Sequence, residues 1–371
     1  MTWIVGIIAT IIMGVVPAAM AEEPINIGAL LPMTGSVAAF GQMAWDGINT
    51  ARKIEPEALG RPIDIKLSDT KSEKVDSANA VSRLIEKEKV VVVIGELISG
   101  NTIAASDYAE RTKIPMVSPT ATNPLVTQGK QFVFRVCFID PEQGRVAAKL
   151  ALDELHAKTA AIIYDISQDY CVGLKTFFQR EFTQGGGKIL GEVMYKMGDR
   201  DFTPQLSRIK SLKPDIIYAP IYYTECALIA KQAREMGLNA PILAGDGVQA
   251  PELIQLGGKA VEGIYFTAHF HTDTISTPMG KKFFELFKKE VGKELDSYTA
   301  QSADAYFVVV DAIKRAGSTD PVKIRDALSA TKDFEGLTGK ITIKPDGNAI
   351  KPMVVNKVKD GKFVYVTTIM P

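Results

Sequence analysis

The stretch VDSANAVSRLIEKEKVVVVIGELISGNT, Val75 to Thr102, decides the fold. A helical pattern over Val75 to Lys87 runs into an apolar strand, Val90 to Ile94. Gly95-Glu96-Leu97-Ile98 then leads to a second helix opening near Ser99. Helix, short buried strand, helix is the rhythm of a parallel sheet covered on both faces. The same rhythm extends outward in both directions. Before it come strand Ile25 to Leu31, helix Ala38 to Ile54 and strand Ile63 to Leu67; after it come strands Ile114 to Met116 and Phe132 to Val136. The pattern restarts with strand Ala160 to Tyr164, helix Val172 to Gln184, strand Lys188 to Met194 and helix Pro204 to Leu212. It continues through strand Ile216 to Ala219, helix Glu225 to Met236, and strands Ile242 to Ala244 and Gly263 to Thr267. Two runs of right-handed βαβ units predict an α/β protein of two doubly wound, Rossmann-like lobes. Pro278 to Arg315 reads as helical, and Ile341 to Ile343, Met353 to Lys357 and Phe363 to Thr367 close the chain as strands. No low-complexity tether separates the lobes, so several ordinary crossings are expected to join them.

The 371 residues, 46% hydrophobic and 23% charged, suffice for two cored domains. Lys plus Arg and Asp plus Glu both number 43. The balance offers no field for nucleic acid, and no nucleic-acid partner is expected. Ile4 to Val16 is almost wholly apolar and Ala19-Met20-Ala21 precedes Glu22-Glu23. That is the pattern of a secretory signal peptide, residues 1–21, although Met1-Thr2-Trp3 lacks the usual basic residue. The apolar run is shorter than a membrane span needs. Cys137, Cys171 and Cys226 are too few and too far apart for a disulfide framework or a zinc motif; at most one pair could bridge, and each reads as a partly buried small apolar residue.

The common catalytic signatures are missing. Gly185-Gly186-Gly187 has Leu190 where a dinucleotide fingerprint needs its third glycine, and it reads as a helix terminator. Gly258-Lys259 is followed by Ala260 and is no phosphate loop; no Gly-x-Ser-x-Gly elbow occurs. His269, His271 and Asp273 have the spacing of a metal cluster on one strand face, but a solvated strand end is the preferred reading. His156 is placed near the end of a helix running from Gln143, where it suits the dipole. No cofactor or metal is expected.

Ligands of doubly wound sheets sit beyond the carboxyl ends of the strands. Beyond Val90 to Ile94, Ser99 is read as a helix N-cap, a suitable seat for a carboxylate. Beyond Ile114 to Met116 comes Val117 to Pro124, where Thr120, Ala121 and Thr122 offer hydroxyls and backbone N–H groups. In the second half, Tyr170, Tyr222-Tyr223 and Gly245-Asp246-Gly247 occupy the same kind of position. A hydroxyl-and-amide clamp facing an acid with tyrosines is complementary to a zwitterion, an α-amino acid.

At these residues the chain resembles the branched-chain amino-acid (Leu/Ile/Val) binding proteins of ABC importers, in the type I periplasmic binding protein family. The resemblance is carried by Ile27-Gly28-Ala29, Thr34-Gly35, Ala104-Ala105-Ser106-Asp107, Ser118 to Pro124, Tyr222-Tyr223 and Gly245-Asp246-Gly247, and it covers the chain from about Pro24 onward. It implies two lobes joined by a three-strand hinge, residues 22–140 with 270–347 and residues 141–269 with 348–371. It implies that Ser99, the backbone at Thr120 or Ala121, and Thr122 hold the ligand carboxylate, with Thr122 also near the ammonium. Asp246 would pair with the ammonium, Tyr170 and Tyr222 would close from the second lobe, and Phe40, Leu97 and Tyr298 would line the side-chain pocket. It implies a periplasmic monomer, not an enzyme, that delivers an amino acid to ABC permease subunits of the inner membrane and, through them, to cytoplasmic ATPases. Three departures stand out. The cysteines that form a first-lobe disulfide in some members are absent, with Ile98 at one place; Cys171 follows Tyr170 where Gly is usual; and the pocket aromatics match only approximately. A ligand-sensing subunit, a binder of amides or other small carboxylates, and third an enzyme using Asp246 as base are the alternatives.

Overall fold

The computed structural model describes residues 23–370, so the expected signal segment lies outside the described residues. The first half comprises β1 (Ile25–Leu31), α1 (Ala38–Ile54), β2 (Glu57–Ala58), β3 (Arg61–Asp69), α2 (Lys74–Glu86), β4 (Val92–Gly95), α3 (Ser99–Thr112), β5 (Met116–Ser118) and β6 (Val133–Arg135). The second comprises α4 (Asp140–Lys149), β7 (Thr159–Asp165), α5 (Asp169–Gln184), β8 (Lys188–Tyr195), α6 (Thr203–Leu212), β9 (Ile216–Ala219), α7 (Tyr223–Glu235), β10 (Ile242–Ala244), α8 (Pro251–Gly257) and β11 (Tyr265–Ala268). The chain ends with α9 (Pro278–Glu290), α10 (Ser297–Ala316), α11 (Pro321–Ser329), β12 (Phe334–Gly336), β13 (Gly339–Ile343), β14 (Ala349–Ile350), β15 (Met353–Lys359) and β16 (Lys362–Ile369).

Two main sheets result, in the orders β2-β3-β1-β4-β5-β6 and β16-β15-β11-β10-β9-β7-β8, with a small third sheet β12-β13-β14. Strands β3, β1, β4, β5 and β6 are parallel, as are β11, β10, β9, β7 and β8; β2, β15 and β16 pair antiparallel at the edges. In each sheet the chain first builds to one side of its opening strand and then to the other. The strand order therefore reverses at β1/β4 and at β7/β9, and a crevice opens at the carboxyl ends there. The chain passes between the sheets three times, after β6, after β11 and between β14 and β15.

Local sequence explains most of these elements. Helix α1 buries Phe40, Ala44, Gly47, Ile48 and Ala51, a stripe at helical spacing, and ends on Arg52 and Lys53, which suit the negative end of its dipole. Against that stripe lies α10, whose Thr299 hydroxyl donates to the Met43 carbonyl at 3.1 Å. A Cβ on Gly47 would stand 2.3 Å from the Thr299 carbonyl oxygen, so only glycine admits this approach. Residues 278–316 thereby return to the first sheet although they follow the second.

Three readings need correction. Strand β5 begins at Met116, not Ile114, because Pro115 has no N–H to give the ladder. Helix α4 starts at Asp140 and ends at Lys149, followed by one wider turn over Leu150–Glu154; His156 lies beyond it at φ +51° and caps no dipole. His269 and His271 share no strand, since β11 stops at Ala268. Among the described residues no cluster of His, Cys, Asp and Glu is arranged to hold a metal. The three cysteines are free and buried, and burial pushes the Cys137 and Cys226 thiols up to about 12, which keeps them protonated and inert.

Candidate functional site

The first half of the site is the turn after β4 and the loop after β5. Glu96, wholly buried, anchors it: its carboxylate accepts from the Ile98 N–H at 2.5 Å, the Thr70 hydroxyl at 2.8 Å and the Asn101 amide at 3.4 Å. Burial nevertheless raises its pKa to about 7 against the pull of those hydrogen bonds. The Ser118 hydroxyl donates to the Glu96 carbonyl at 2.6 Å, and the Thr120 hydroxyl to the Leu97 carbonyl at 3.0 Å, which staples the second loop to the first. Ser99 is not an N-cap. It is the first residue of α3, Ile98 holds the cap position without a side-chain bond, and the Ser99 hydroxyl accepts from the Asn123 N–H at 3.2 Å. Its proton is left to donate elsewhere. The Ala121 N–H is already given to Ser118 Oγ at 3.1 Å.

Behind the loop stands Arg135, the largest fully buried side chain. Its guanidinium donates to the Ala121 carbonyl at 2.6 Å, the Asn123 carbonyl at 2.9 Å and the Thr127 hydroxyl at 3.3 Å, fixing the shape of residues 120–127. Burial lowers its pKa.

The second half gathers on Asp246, which is 4% exposed. Gln143 Nε2 donates to Asp246 Oδ1 at 2.7 Å, the Tyr170 hydroxyl donates to the same oxygen at 2.9 Å, and His269 Nε2 lies 3.1 Å from Oδ2. The Gly247 N–H donates back to the Tyr170 oxygen at 3.2 Å, and a Cβ at Gly245 would stand 2.2 Å from that oxygen. Glycine at position 245 therefore makes room for the tyrosine rather than for a ligand alone.

Aromatic rings join the halves. Phe40 stacks on Tyr298 with centroids 3.8 Å apart, meets Tyr222 edge-on at 6.1 Å and Tyr223 at 5.0 Å, and Tyr222 lies 5.5 Å from Tyr170. All ten residues read from the sequence as site residues are buried. Asp246, Tyr170, Tyr222, Phe40 and Tyr298 form one continuous set of contacts, and Ser99, Thr120, Ala121 and Thr122 lie on the stapled loops with Leu97.

Between the halves several buried polar atoms have no partner: Thr122 Oγ1, both carboxylate oxygens of Asp140, Gln143 Oε1 and His269 Nδ1. The Asp140 carboxylate faces the Thr122 hydroxyl without closing a hydrogen bond. Its pKa rises to about 8, chiefly through burial and further through the nearby Asp246 charge, against the pull of Thr122 and Arg135. At neutral pH that keeps a proton on Asp140, so its unpartnered oxygens offer hydrogen-bonding groups rather than a second charge.

Sequence reasoning missed Asp140, Gln143, Glu96 and Arg135, and it read His269 as part of a solvated strand end, whereas the side chain is buried against Asp246. One signal was present for Asp140 and Gln143: three apart at the start of a helix, directly after a crossing between sheets, they share the face that looks into the crevice.

Residues 24–362 match the family model described as a periplasmic binding protein. The chain is similar to a Leu/Ile/Val-binding protein homolog of Brucella melitensis, 31% identical, over 94% of this chain and 95% of that protein. Among solved structures, a leucine binding protein of Thermotoga maritima is 48% identical with a TM-score of 0.92, covering 94% of this chain and 99% of that one. A branched-chain amino acid transporter substrate binding protein of Streptococcus pneumoniae, in complex with isoleucine, is 30% identical with a TM-score of 0.88, covering 94% and 100%. The two-lobed type I fold expected from the sequence is the fold of these structures, and the chain belongs to the periplasmic binding protein family.

Proposed function

We propose that this protein is an extracytoplasmic solute-binding protein that captures an α-amino acid, by preference leucine, isoleucine or valine, between its lobes and delivers it to an ABC permease. The observation that carries the reading is the charge pattern of the pocket. Asp246 and the Asp140 and Thr122 oxygens offer the acceptors for an ammonium group. The Ser99 hydroxyl and the N–H groups of Thr120 and Thr122 are the donors for a carboxylate, the Ala121 N–H being held by Ser118. An amino acid satisfies both, and burying its two charges is tolerable only when each is paired. Phe40, Leu97 and Tyr298 supply the apolar wall for its side chain. The names of the Brucella melitensis, Thermotoga maritima and Streptococcus pneumoniae relatives support the same ligand class.

The remaining parts of the reading follow from it. Residues 1–21 are the export signal, the periplasm is the compartment, and the lobes are 22–140 with 270–347 and 141–269 with 348–371. The protein acts as a monomer and as a carrier without turnover, a reading that the solute-binding family and relatives support. Closure of the lobes makes a surface spanning both, and the permease reads that surface.

Thermal shift of the refolded, solute-free chain from Glu22 onward tests this against amino acids, amides, dipeptides and sugars. A ligand at a hundred times its Kd adds about 2.7 kcal/mol of stability, a shift of several degrees. Stabilisation by leucine, isoleucine or valine, without product formation in calorimetry, is expected. A folded protein that no α-amino acid stabilises would overturn the proposal.

A further inference from the structure

The solvent-facing rim of the crevice carries contacts that no ligand makes. Asp169 opens α5 on the second lobe, and its Oδ2 lies 2.6 Å from Nζ of Lys74, the first residue of α2 on the first lobe. The Asp169 carbonyl also accepts from the Asn123 side-chain amide at 2.9 Å. The fit is close. A Cβ on Gly100 would stand 2.5 Å from that Oδ2 and 2.6 Å from the Lys74 side chain, so a glycine in the first turn of α3 is what lets Asp169 seat.

What lies next to these residues gives the contact a role. The Asn123 N–H donates to the Ser99 hydroxyl at 3.2 Å, and its Oδ1 accepts from the Leu125 N–H at 3.0 Å, so its amide is held in place from both sides. Tyr170, the residue after Asp169, donates to Asp246 at 2.9 Å. Each end of the rim contact is thus one residue or one hydrogen bond away from a half of the ligand clamp. Its partners stand on different lobes, so it forms only when the lobes close.

Resting on the function proposed above, we infer that Asp169, with Lys74 and Asn123, is a positioning residue for ligand retention: the three form a latch that holds the closed lobes and sets how slowly the ligand leaves. The latch is absent when ligand meets the open protein. It therefore acts on release and leaves arrival unchanged.

Release of radiolabelled L-leucine from the preloaded protein, chased with unlabelled leucine, tests this beside association measured by stopped flow. In Lys74→Glu, release is expected to quicken about two- to fivefold, the scale of an exposed ion pair, with association unchanged. The charge-exchanged double variant, Lys74→Glu with Asp169→Lys, should restore slow release, which a merely structural role would not. In the wild type, release should also quicken between about 0.05 and 0.5 M salt, where an exposed pair is screened. An unchanged release rate in Lys74→Glu, or a wild-type rate indifferent to salt, overturns the latch, and the salt arm stands even if the variant fails to fold. A wild-type protein that neither retains leucine nor is stabilised by any other α-amino acid would overturn the proposed function and the latch with it, whereas tight wild-type retention with an unchanged Lys74→Glu rate overturns the latch alone.

Discussion

Replacing Asp246 by alanine is the sharpest test of the clamp. The carboxylate is 4% exposed and holds Gln143 at 2.7 Å, Tyr170 at 2.9 Å and His269 at 3.1 Å. Part of the loss falls on the fold, because those three groups lose their acceptor whether or not ligand is present, at about 1–3 kcal/mol for each buried group left unpaired. The part that falls on binding is the ammonium buried without its counter-charge. Breaking such a buried pair from one side costs about 3–5 kcal/mol, and each 1.4 kcal/mol is tenfold in affinity, so leucine should bind a hundredfold to several thousandfold more weakly. Isothermal titration at about 0.15 M salt, with circular dichroism to establish that the variant is folded, measures it. Asp246→Asn separates charge from shape. Its carbonyl still accepts from Tyr170 and Gln143, and its loss should be smaller, because a neutral acceptor makes roughly half the hydrogen bond of a charged one. A folded Asp246→Ala protein that binds leucine within about threefold of wild type would refute the assignment of the ammonium to this pocket.

Other consequences concern stability. Glu96 keeps its proton in the folded protein up to about pH 7, whereas in the unfolded chain it ionises near 4.5; folding therefore loses support as pH rises between those values, by at most about 1.4 kcal/mol per unit, and Glu96→Gln should flatten that slope in urea titrations. Phe40→Ala removes a ring stacked 3.8 Å from Tyr298 and should cost about 3–5 kcal/mol in chemical denaturation; a cost under about 1 kcal/mol would mean the wall reforms without it. Arg135→Met strips the Ala121 and Asn123 carbonyls and the Thr127 hydroxyl of their donor, and leucine affinity should fall with stability because the 120s loop loses its shape. Unchanged affinity in a folded Arg135→Met protein would show that the staples from Ser118 and Thr120 suffice to hold the loop.

Much of the fold was legible because its signals are local. An apolar run such as Val90 to Ile94 between two helical patterns admits few readings, and strands Ile216–Ala219 and Ile242–Ala244 were found to the residue. Errors came where a single group overrides the pattern. Pro115 moved the start of β5, and a hydroxyl read as a cap at Ser99 turned out to serve the neighbouring loop. The site was legible only in outline. Acid, tyrosines and hydroxyl loop follow strand ends, and strand ends are a matter of order along the chain.

The sequence by itself determined the alternation of elements, the two sheets that follow from it, and the residue types offered at each strand end, because backbone periodicity and turn chemistry act over a few residues. Only the tertiary structure decided which of those residues meet. Gln143 and Asp246 are 103 positions apart, Asn123 and Asp169 are 46 apart, and Thr299 returns to Met43 from 256 positions away. No local preference encodes such a pairing. It is set by how the two halves pack, which brings Asp246 and Asp140 into one crevice and Lys74 to its rim.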